Sequence, residues 1–324
     1  MKVLVTGNSG LIGKALVQYL LTKPYHIVGV DLVDCEVEIM RPHKQHICDI
    51  NDFEQFNKLL LKENPDYIIH LAARTDLDGL RLSDYKTNTT AVENLVNQTY
   101  ILTNLKRIIY TSSMLVCYAG YNPKTDLDYK PTTIYGESKV VGEKFIRSAN
   151  SEKCSWIIVR PTTVWGPYMN EHYSRFLKML KKGYYFHTGT EKLYKSYSFV
   201  ENIAFQYLQL LIADEKNAHG KTFYLADYKP LSLRDYTTAL SIQIRGKKPI
   251  AFPYWFSYLL ARTGDFIKLL GVPFPFNSFR LKNILTEYQF DLSELELLTG
   301  TLPVDFELGV TKTAEWFKKT QGDS

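Results

Sequence analysis

The first thirteen residues, MKVLVTGNSGLIG, leave the chain few folds to choose from. A β-type apolar run over residues 2–6 meets glycines at 7, 10 and 13, and a helical apolar pattern follows at once through Leu11, Ile12, Ala15, Leu16, Tyr19 and Leu20. Each glycine has a physical task. Gly7 permits a sharp strand-to-helix turn, Gly10 lets backbone approach a pyrophosphate, and Gly13 lets the helix sit close on the strand. The start of that helix then offers free N–H groups and the positive end of its dipole to phosphates. A glycine triplet alone is a weak signal; one set between a strand and a helix is much stronger.

Size and charge bound what such a start can lead to. With 324 residues the chain can bury one large domain, or one with a smaller lobe. Hydrophobic residues at 45% and charged residues at 23% suit a soluble globular protein. A net charge of +5 without any basic run gives nucleic-acid binding little support, and suits an anionic small substrate. The cysteines at 35, 48, 117 and 154 form no CxxC pair and no metal-ligand spacing, so reduced thiols of a cytoplasmic protein and no metal are expected. A strand beginning at Lys2 predicts no signal peptide. The aromatic run 251–261 (AFPYWFSYLLA) is cut by Arg262, Asp265 and Lys268, short of the roughly 20 apolar residues of a span. It reads first as a partly buried helix of a second lobe, with a lid or an interfacial foot as alternatives.

The rest of the first half alternates strands and helices. Residues 25–32 (YHIVGVDL) form an apolar run carrying Asp31, 18 residues after Gly13. A carboxylate there can accept hydrogen bonds from both ribose hydroxyls and would repel a 2′-phosphate, so NAD is favoured over NADP; an ordinary strand-end acid is the alternative, and Arg41 is the nearest arginine. Further strands are predicted at 46–49, 67–71, 106–110 and 155–159, with helices from 52, over 84–104 and over 135–149. Repeated βαβ units with continuous apolar strands predict a parallel sheet covered on both faces. Beyond Arg160-Pro161 helices predominate (about 171–182, 199–213, 232–243, 253–270 and 307–319), with short strands at 184–187 and 222–226. The expected organisation is therefore 1–167 as the dinucleotide domain and 168–324 as a mostly helical substrate lobe, some of whose segments return to the main sheet.

The sharpest chemical signal is Tyr135-Gly-Glu-Ser-Lys139 at a helix start. Positions i and i+4 share a face, so phenol and ammonium can enter one cleft. A nearby cation is expected to favour the phenolate and lower a phenol pKa ordinarily near 10. Ser113, at the end of a neighbouring strand, is the candidate to hold a substrate oxygen, with Ser112 the near alternative. The set suits proton transfer on an alcohol coupled to hydride transfer at its carbon.

Together GNSGLIG, Asp31, Asp49-Ile50, Leu71-Ala72-Ala73, Asn88, Thr111-Ser112-Ser113 and Tyr135-xxx-Lys139 resemble the extended short-chain dehydrogenase/reductases, specifically the NAD-dependent epimerase/dehydratase family of nucleotide-sugar enzymes. RPTTVWGP (160–167), YSFVENIA (197–204) and Leu302-Pro303 before a Trp316-containing last helix extend the likeness. The resemblance implies a Rossmann-type doubly wound parallel sheet binding NAD. Gly7, Gly10, Leu11, Ile12 and Gly13 would lie along the pyrophosphate, Asp31 at the adenine ribose, and Asp49 with Ile50 at the adenine. Leu71, Ala72, Ala73, Asn88, Thr111 and Pro161 would line the dinucleotide. Tyr135 would be the acid/base, Lys139 would bind the nicotinamide ribose and tune Tyr135, and Ser113 would hold the reacting hydroxyl. The likeness also implies a homodimer through the helices near 84–104 and 135–149.

Departures from the family pattern narrow the chemistry. Met114 and Leu115 follow Ser113 where dehydratases and the decarboxylase carry an acid, which disfavours elimination. Thr163 stands where epimerases usually have asparagine at the nucleotide diphosphate, and the arginine before the "F-V" phenylalanine is absent, with Lys195, Tyr197 and Ser198 in that neighbourhood. Arg175 and Arg280 remain as diphosphate candidates, or as solvated surface arginines. The expected activity is C4 epimerisation of a nucleotide sugar through a transient 4-keto sugar. The alternatives are a net oxidoreductase, either a 4-keto-sugar reductase or a hydroxysteroid- or dihydroflavonol-type dehydrogenase, and a non-catalytic dinucleotide-binding protein.

Overall fold

Val3, Leu4 and Val5 have no exposed surface, so the first strand is central, as its unbroken apolar run requires. In the computed structural model, which describes residues 1–34, 44–149, 153–169, 171–272, 274 and 276–321, β1 (Lys2–Thr6) leads into α1 (Leu11–Leu21). There follow β2 (His26–Asp31), β3 (Lys44–Ile47), α2 (Phe53–Glu63), β4 (Tyr67–His70), α3 (Thr90–Thr99), β5 (Arg107–Thr111), α4 (Ile134–Ser148), β6 (Ser155–Pro161) and β7 (Thr163–Trp165). The second half holds α5 (Glu171–Lys182), β8 (Phe186–Thr188), β9 (Tyr194–Lys195), β10 (Tyr197–Phe199), α6 (Val200–Ile212), α7 (Glu215–Ala218), β11 (Thr222–Leu225), β12 (Leu231–Ser232), α8 (Leu233–Arg245), β13 (Ile250–Phe252), α9 (Tyr254–Leu269), α10 (Ser278–Leu285), α11 (Ser293–Thr299) and α12 (Phe306–Gln321). Arg41 and Cys35 lie outside the described residues.

Seven parallel strands form the main sheet in the order β11-β6-β5-β4-β1-β2-β3. α1, α6 and α11 pack in one layer; α2, α3 and α4 pack in another. This is the doubly wound Rossmann-type sheet. Strand order reverses between β1 and β4, and a ligand crevice forms at the carboxyl ends of strands at such a point. The chain divides into two compact units. The first is Met1–Trp165 with Ser198–Tyr228 and Asp291–Pro303; the second is Gly166–Tyr197 with Lys229–Phe290 and Val304–Ser324. Within the second, α8 packs on α5 and α12, α9 on α10, and β8 pairs β13 in parallel.

Two elements differ from their sequence pattern. The long helix expected over 84–104 is a 3-10 helix, Leu82–Asn88, followed by α3. Thr89 breaks it at φ −118°, ψ −87°, because the Asn88 side chain turns away to serve two other segments. The third strand runs Lys44–Ile47 rather than 46–49, since the Asp49 carboxylate accepts the Asn51 N–H and closes a turn. No helix among the described residues is long and apolar enough to cross a membrane.

Candidate active site

Gly7 takes φ +72°, and a Cβ there would lie 2.6 Å from the Ala72 nitrogen. The turn after β1 therefore presses against the turn after β4, on the two sides of the switch point. A Cβ on Gly13 would lie 2.2 Å from the Gly7 carbonyl oxygen, so α1 sits as close to its turn as backbone allows. On Gly10 the nearest atom would be 3.4 Å away: that side of the loop is open. Gly10 is also the N-cap of α1 and brings no side chain to its first N–H groups. Leu11 and Ile12 complete this first turn. The result is a close-backed cradle, open at Gly10, with a helix dipole aimed into it, which fits a pyrophosphate.

Asp31 ends β2 beside that cradle. Its Oδ2 accepts the Ser9 N–H at 2.8 Å and its Oδ1 accepts the Leu32 N–H at 2.7 Å. Asp49 is exposed and Ile50 buried. Leu71, Ala72 and Ala73 are half-buried after β4. Asn88 secures this loop: its side chain exchanges hydrogen bonds with the Arg74 N–H and carbonyl, both at 2.9 Å, and donates to the Ser138 hydroxyl at 2.9 Å. A single amide thus joins the loop after β4 to α4.

α4 starts at Thr133, whose hydroxyl accepts the Gly136 N–H at 3.0 Å. This cap places Tyr135 in the first turn and Lys139 one turn on, both buried. The Lys139 ammonium donates to the Thr111 carbonyl at the end of β5, at 3.0 Å. The Thr111 hydroxyl is hydrogen-bonded to Tyr207 at 2.7 Å. The Ser113 hydroxyl accepts the Leu115 N–H at 3.1 Å and lies close enough to the phenol of Tyr135 to favour its ionised form. Ser113 thus lies beside Tyr135, while Lys139, one turn on, is tied to the end of β5 two residues before Ser113. Ser112 does not join them; its hydroxyl donates to Glu143 at 2.6 Å.

Electrostatics here differ from the expectation that Lys139 lowers the Tyr135 pKa. Burial pushes Tyr135 up to about 12; the Ser113 hydroxyl works against it, and the nearby Tyr85 adds to it. Burial pushes Lys139 down to about 8, opposed by Glu143. Desolvation is the largest influence at both groups and outweighs the opposing Ser113 hydroxyl at Tyr135 and the opposing Glu143 charge at Lys139.

Two features escaped the sequence reading. Glu143 is fully enclosed: Arg160 donates to both its oxygens at 2.9 and 2.7 Å, and Ser112 and Tyr129 donate as well. Arg160 itself lies between the rings of Tyr129 and Tyr224. His70, the one polar side chain at the end of β4, bonds the Thr6 hydroxyl through Nδ1 at 2.8 Å, while its buried Nε2 has no partner among the described residues. Burial and then the Lys139 charge push His70 down to about 3, so it is neutral. The only sequence signal was a histidine closing an apolar strand.

Pro161 is buried at the end of β6 beside Leu225 of β11, and Thr163 is half-buried in β7. Arg175 and Arg280 belong to the second unit, exposed on α5 and α10. No cluster of His, Cys, Asp or Glu among the described residues could hold a metal ion. Cys48, Cys117 and Cys154 are free and buried.

A doubly wound parallel sheet, a glycine cradle at its switch point and a buried Ser-Tyr-Lys set define the extended short-chain dehydrogenase/reductase class. The model of the "NAD dependent epimerase/dehydratase family" matches residues 3–226, and the chain belongs to that family; its cofactor is NAD. Among curated proteins it is 28% identical to the UDP-glucose 4-epimerase of Vibrio cholerae over 97% of this chain and 95% of that one. It is 22% identical to the decarboxylating sterol-4-alpha-carboxylate 3-dehydrogenase of Mus musculus, over 99% of this chain and 92% of that one. The solved UDP-glucose 4-epimerase of Thermotoga maritima superposes with a TM-score of 0.76 at 20% identity, covering 99% of both chains.

Proposed function

We propose that the protein is an NAD-dependent epimerase of a nucleotide sugar, acting at C4 through a transient 4-keto sugar. One observation carries this: the Tyr135 phenol is buried against the Ser113 hydroxyl, while the one fully enclosed acid of α4, Glu143, is committed to Arg160 and turned to other work. Proton transfer without an acid to expel water suits oxidation and re-reduction of a carbinol. Full-length similarity to a UDP-glucose 4-epimerase supports the substrate class.

Gly7, Gly10, Leu11, Ile12 and Gly13 hold the pyrophosphate of NAD, Asp31 its adenine ribose, and Asp49 with Ile50 its adenine. Leu71, Ala72, Ala73, Asn88, Thr111 and Pro161 line the rest. When bound, NAD supplies the hydride acceptor and donor, and a positive ring that favours the phenolate. Ser113 would hold the C4 oxygen, and Tyr135 would take the hydroxyl proton on oxidation of the carbinol and return it on re-reduction. Lys139 holds the nicotinamide ribose and keeps a positive charge by the phenol. Thr163 holds the nucleotide diphosphate. The protein works in the cytoplasm, as a homodimer joined through α3 and α4.

The test is to incubate purified protein with UDP-hexoses and no added cofactor. Epimer formation is the expected result, with NAD released on heating; no epimer from any nucleotide sugar would overturn the proposal. The full-length match to a sterol dehydrogenase favours a second reading, net oxidation or reduction of one alcohol. That reading requires stoichiometric turnover of freely exchanging NAD(P)H.

A further inference from the structure

α9 is built the wrong way round for a core helix. Its inward side carries small residues, the buried Ser257, Ala261 and Gly264. The fit there is tight, since a Cβ on Gly264 would lie 1.9 Å from the Phe276 carbonyl oxygen. Its large apolar residues face out: Trp255 is 66% exposed, Leu259 59%, Phe266 62% and Leu269 84%. At 3.6 residues per turn these four fall within about 80° of arc, two apolar pairs on one side of the helix with Arg262 between them. Soluble proteins seldom leave such a stripe in water without a partner.

Charge says which partner. Residues 246–282 hold six Lys and Arg (Lys247, Lys248, Arg262, Lys268, Arg280 and Lys282) against one acid, Asp265. That leaves +5, the net charge of the whole chain, so the other 287 residues balance with 33 basic and 33 acidic side chains. The Asp265 carboxylate is itself engaged, accepting from the Ser278 N–H and hydroxyl. Arg262 lies within the apolar stripe, where a long side chain can bury its stem and raise its charge to a headgroup. Exposed Trp, Phe and Leu with an arginine among them, on a helix too short and too charged to span and in a segment of net positive charge, are the mark of an interfacial helix.

We infer that the outer face of α9 seats on an anionic lipid bilayer, with its aromatic and aliphatic side chains among the headgroups and Arg262 against lipid phosphates. Each cation brought to such a surface tightens binding by about fivefold. The test is flotation of the full-length protein with vesicles of phosphatidylcholine alone or mixed with phosphatidylglycerol. Binding is expected to the anionic vesicles and not to the neutral ones, and to weaken with salt. The double substitution Phe266→Glu, Leu269→Glu should weaken it at least about tenfold. Phe266→Ser, Leu269→Ser should weaken it less, and both variants should keep the wild-type melting temperature and NAD affinity. The inference fails if the wild type stays unbound by anionic vesicles, or if the substitutions leave binding unchanged. It also fails if light scattering shows a dimer that the substitutions dissociate without any lipid binding, since a second copy would then be what covers the stripe.

Discussion

Tyr135 and Lys139 are one turn apart on α4, and burial moves them in opposite directions, the phenol up to about 12 and the ammonium down to about 8. In the free protein the phenol is therefore a reservoir of one proton. Tyr135→Phe should lower turnover by about 10²- to 10⁴-fold with little change in NAD affinity, because it removes a proton donor and acceptor rather than a binding contact. An unaffected rate would exclude Tyr135 as the acid/base. Lys139 loses its charge as pH rises through about 8, so NAD affinity should fall over that range in the wild type and lose this dependence in Lys139→Met. Beneath Lys139, His70 stays neutral down to about pH 3, whereas an unfolded imidazole takes a proton below 6.5. Between those values the unfolded state holds the extra proton, so this residue's contribution to stability falls as pH falls, by roughly 1.4 kcal/mol per pH unit. Urea unfolding from about pH 7 to 4 should show a shallower pH slope in His70→Asn than in the wild type. Identical slopes would mean that the imidazole can take a proton in place.

At the scale of elements, what was legible was local. The glycine cradle and the shared face of Tyr135 and Lys139 depend on spacings of three and four residues, and a helix or turn enforces such spacings whatever surrounds it. The Glu143–Arg160 pair was not legible, because its partners lie on α4 and β6 and only the folded sheet brings them together. The kink at Thr89 was hidden for the same reason: the Asn88 side chain just before it bonds Arg74 and Ser138, which only the fold brings near. Glu143 also ties the site to the sheet, since it accepts from Ser112, the neighbour of Ser113, and raises the Lys139 pKa from the same helix. Glu143→Gln should leave Arg160 buried without its counter-ion and cost about 3–5 kcal/mol of stability. It should also move the loss of NAD affinity at high pH to a value below about 8, because the charge that supports Lys139 is gone. Glu143→Gln, Arg160→Met should recover part of the stability while keeping the shifted pH profile. Recovery of both together would mean that Glu143 acts on Lys139 through packing and not through charge.

For the whole molecule, the βα alternation of the first half showed the sheet, but the strand that completes it comes from later in the chain. β11 pairs β6, and α6 and α11 cover α1's face of the sheet, all from segments beyond residue 165. Their patterns resemble those of the helices around them, so composition could not tell which of them return. Their contribution is large: Ile203, Ala204, Tyr207, Leu210 and Leu211 of α6 are almost wholly buried. The isoleucine and leucines among them contribute about 1.5–3 kcal/mol each when buried. Arg107, buried in β5, donates to the carbonyls of Leu210, Leu211 and Ala213 at the end of α6, and would be left with a desolvated charge if that helix were missing. Removing β11 would also turn β6 into an open edge ready to pair with other chains. A fragment ending at residue 167 contains the cradle, Ser113, Tyr135 and Lys139, yet it should aggregate or melt without a cooperative transition, and it should not bind NAD. A soluble fragment 1–167 with a cooperative melt and full NAD affinity would show that the returning segments cover a unit already able to fold. Its failure would mean that the cofactor site, though written almost entirely before residue 140, exists only once the chain has come back to the sheet twice.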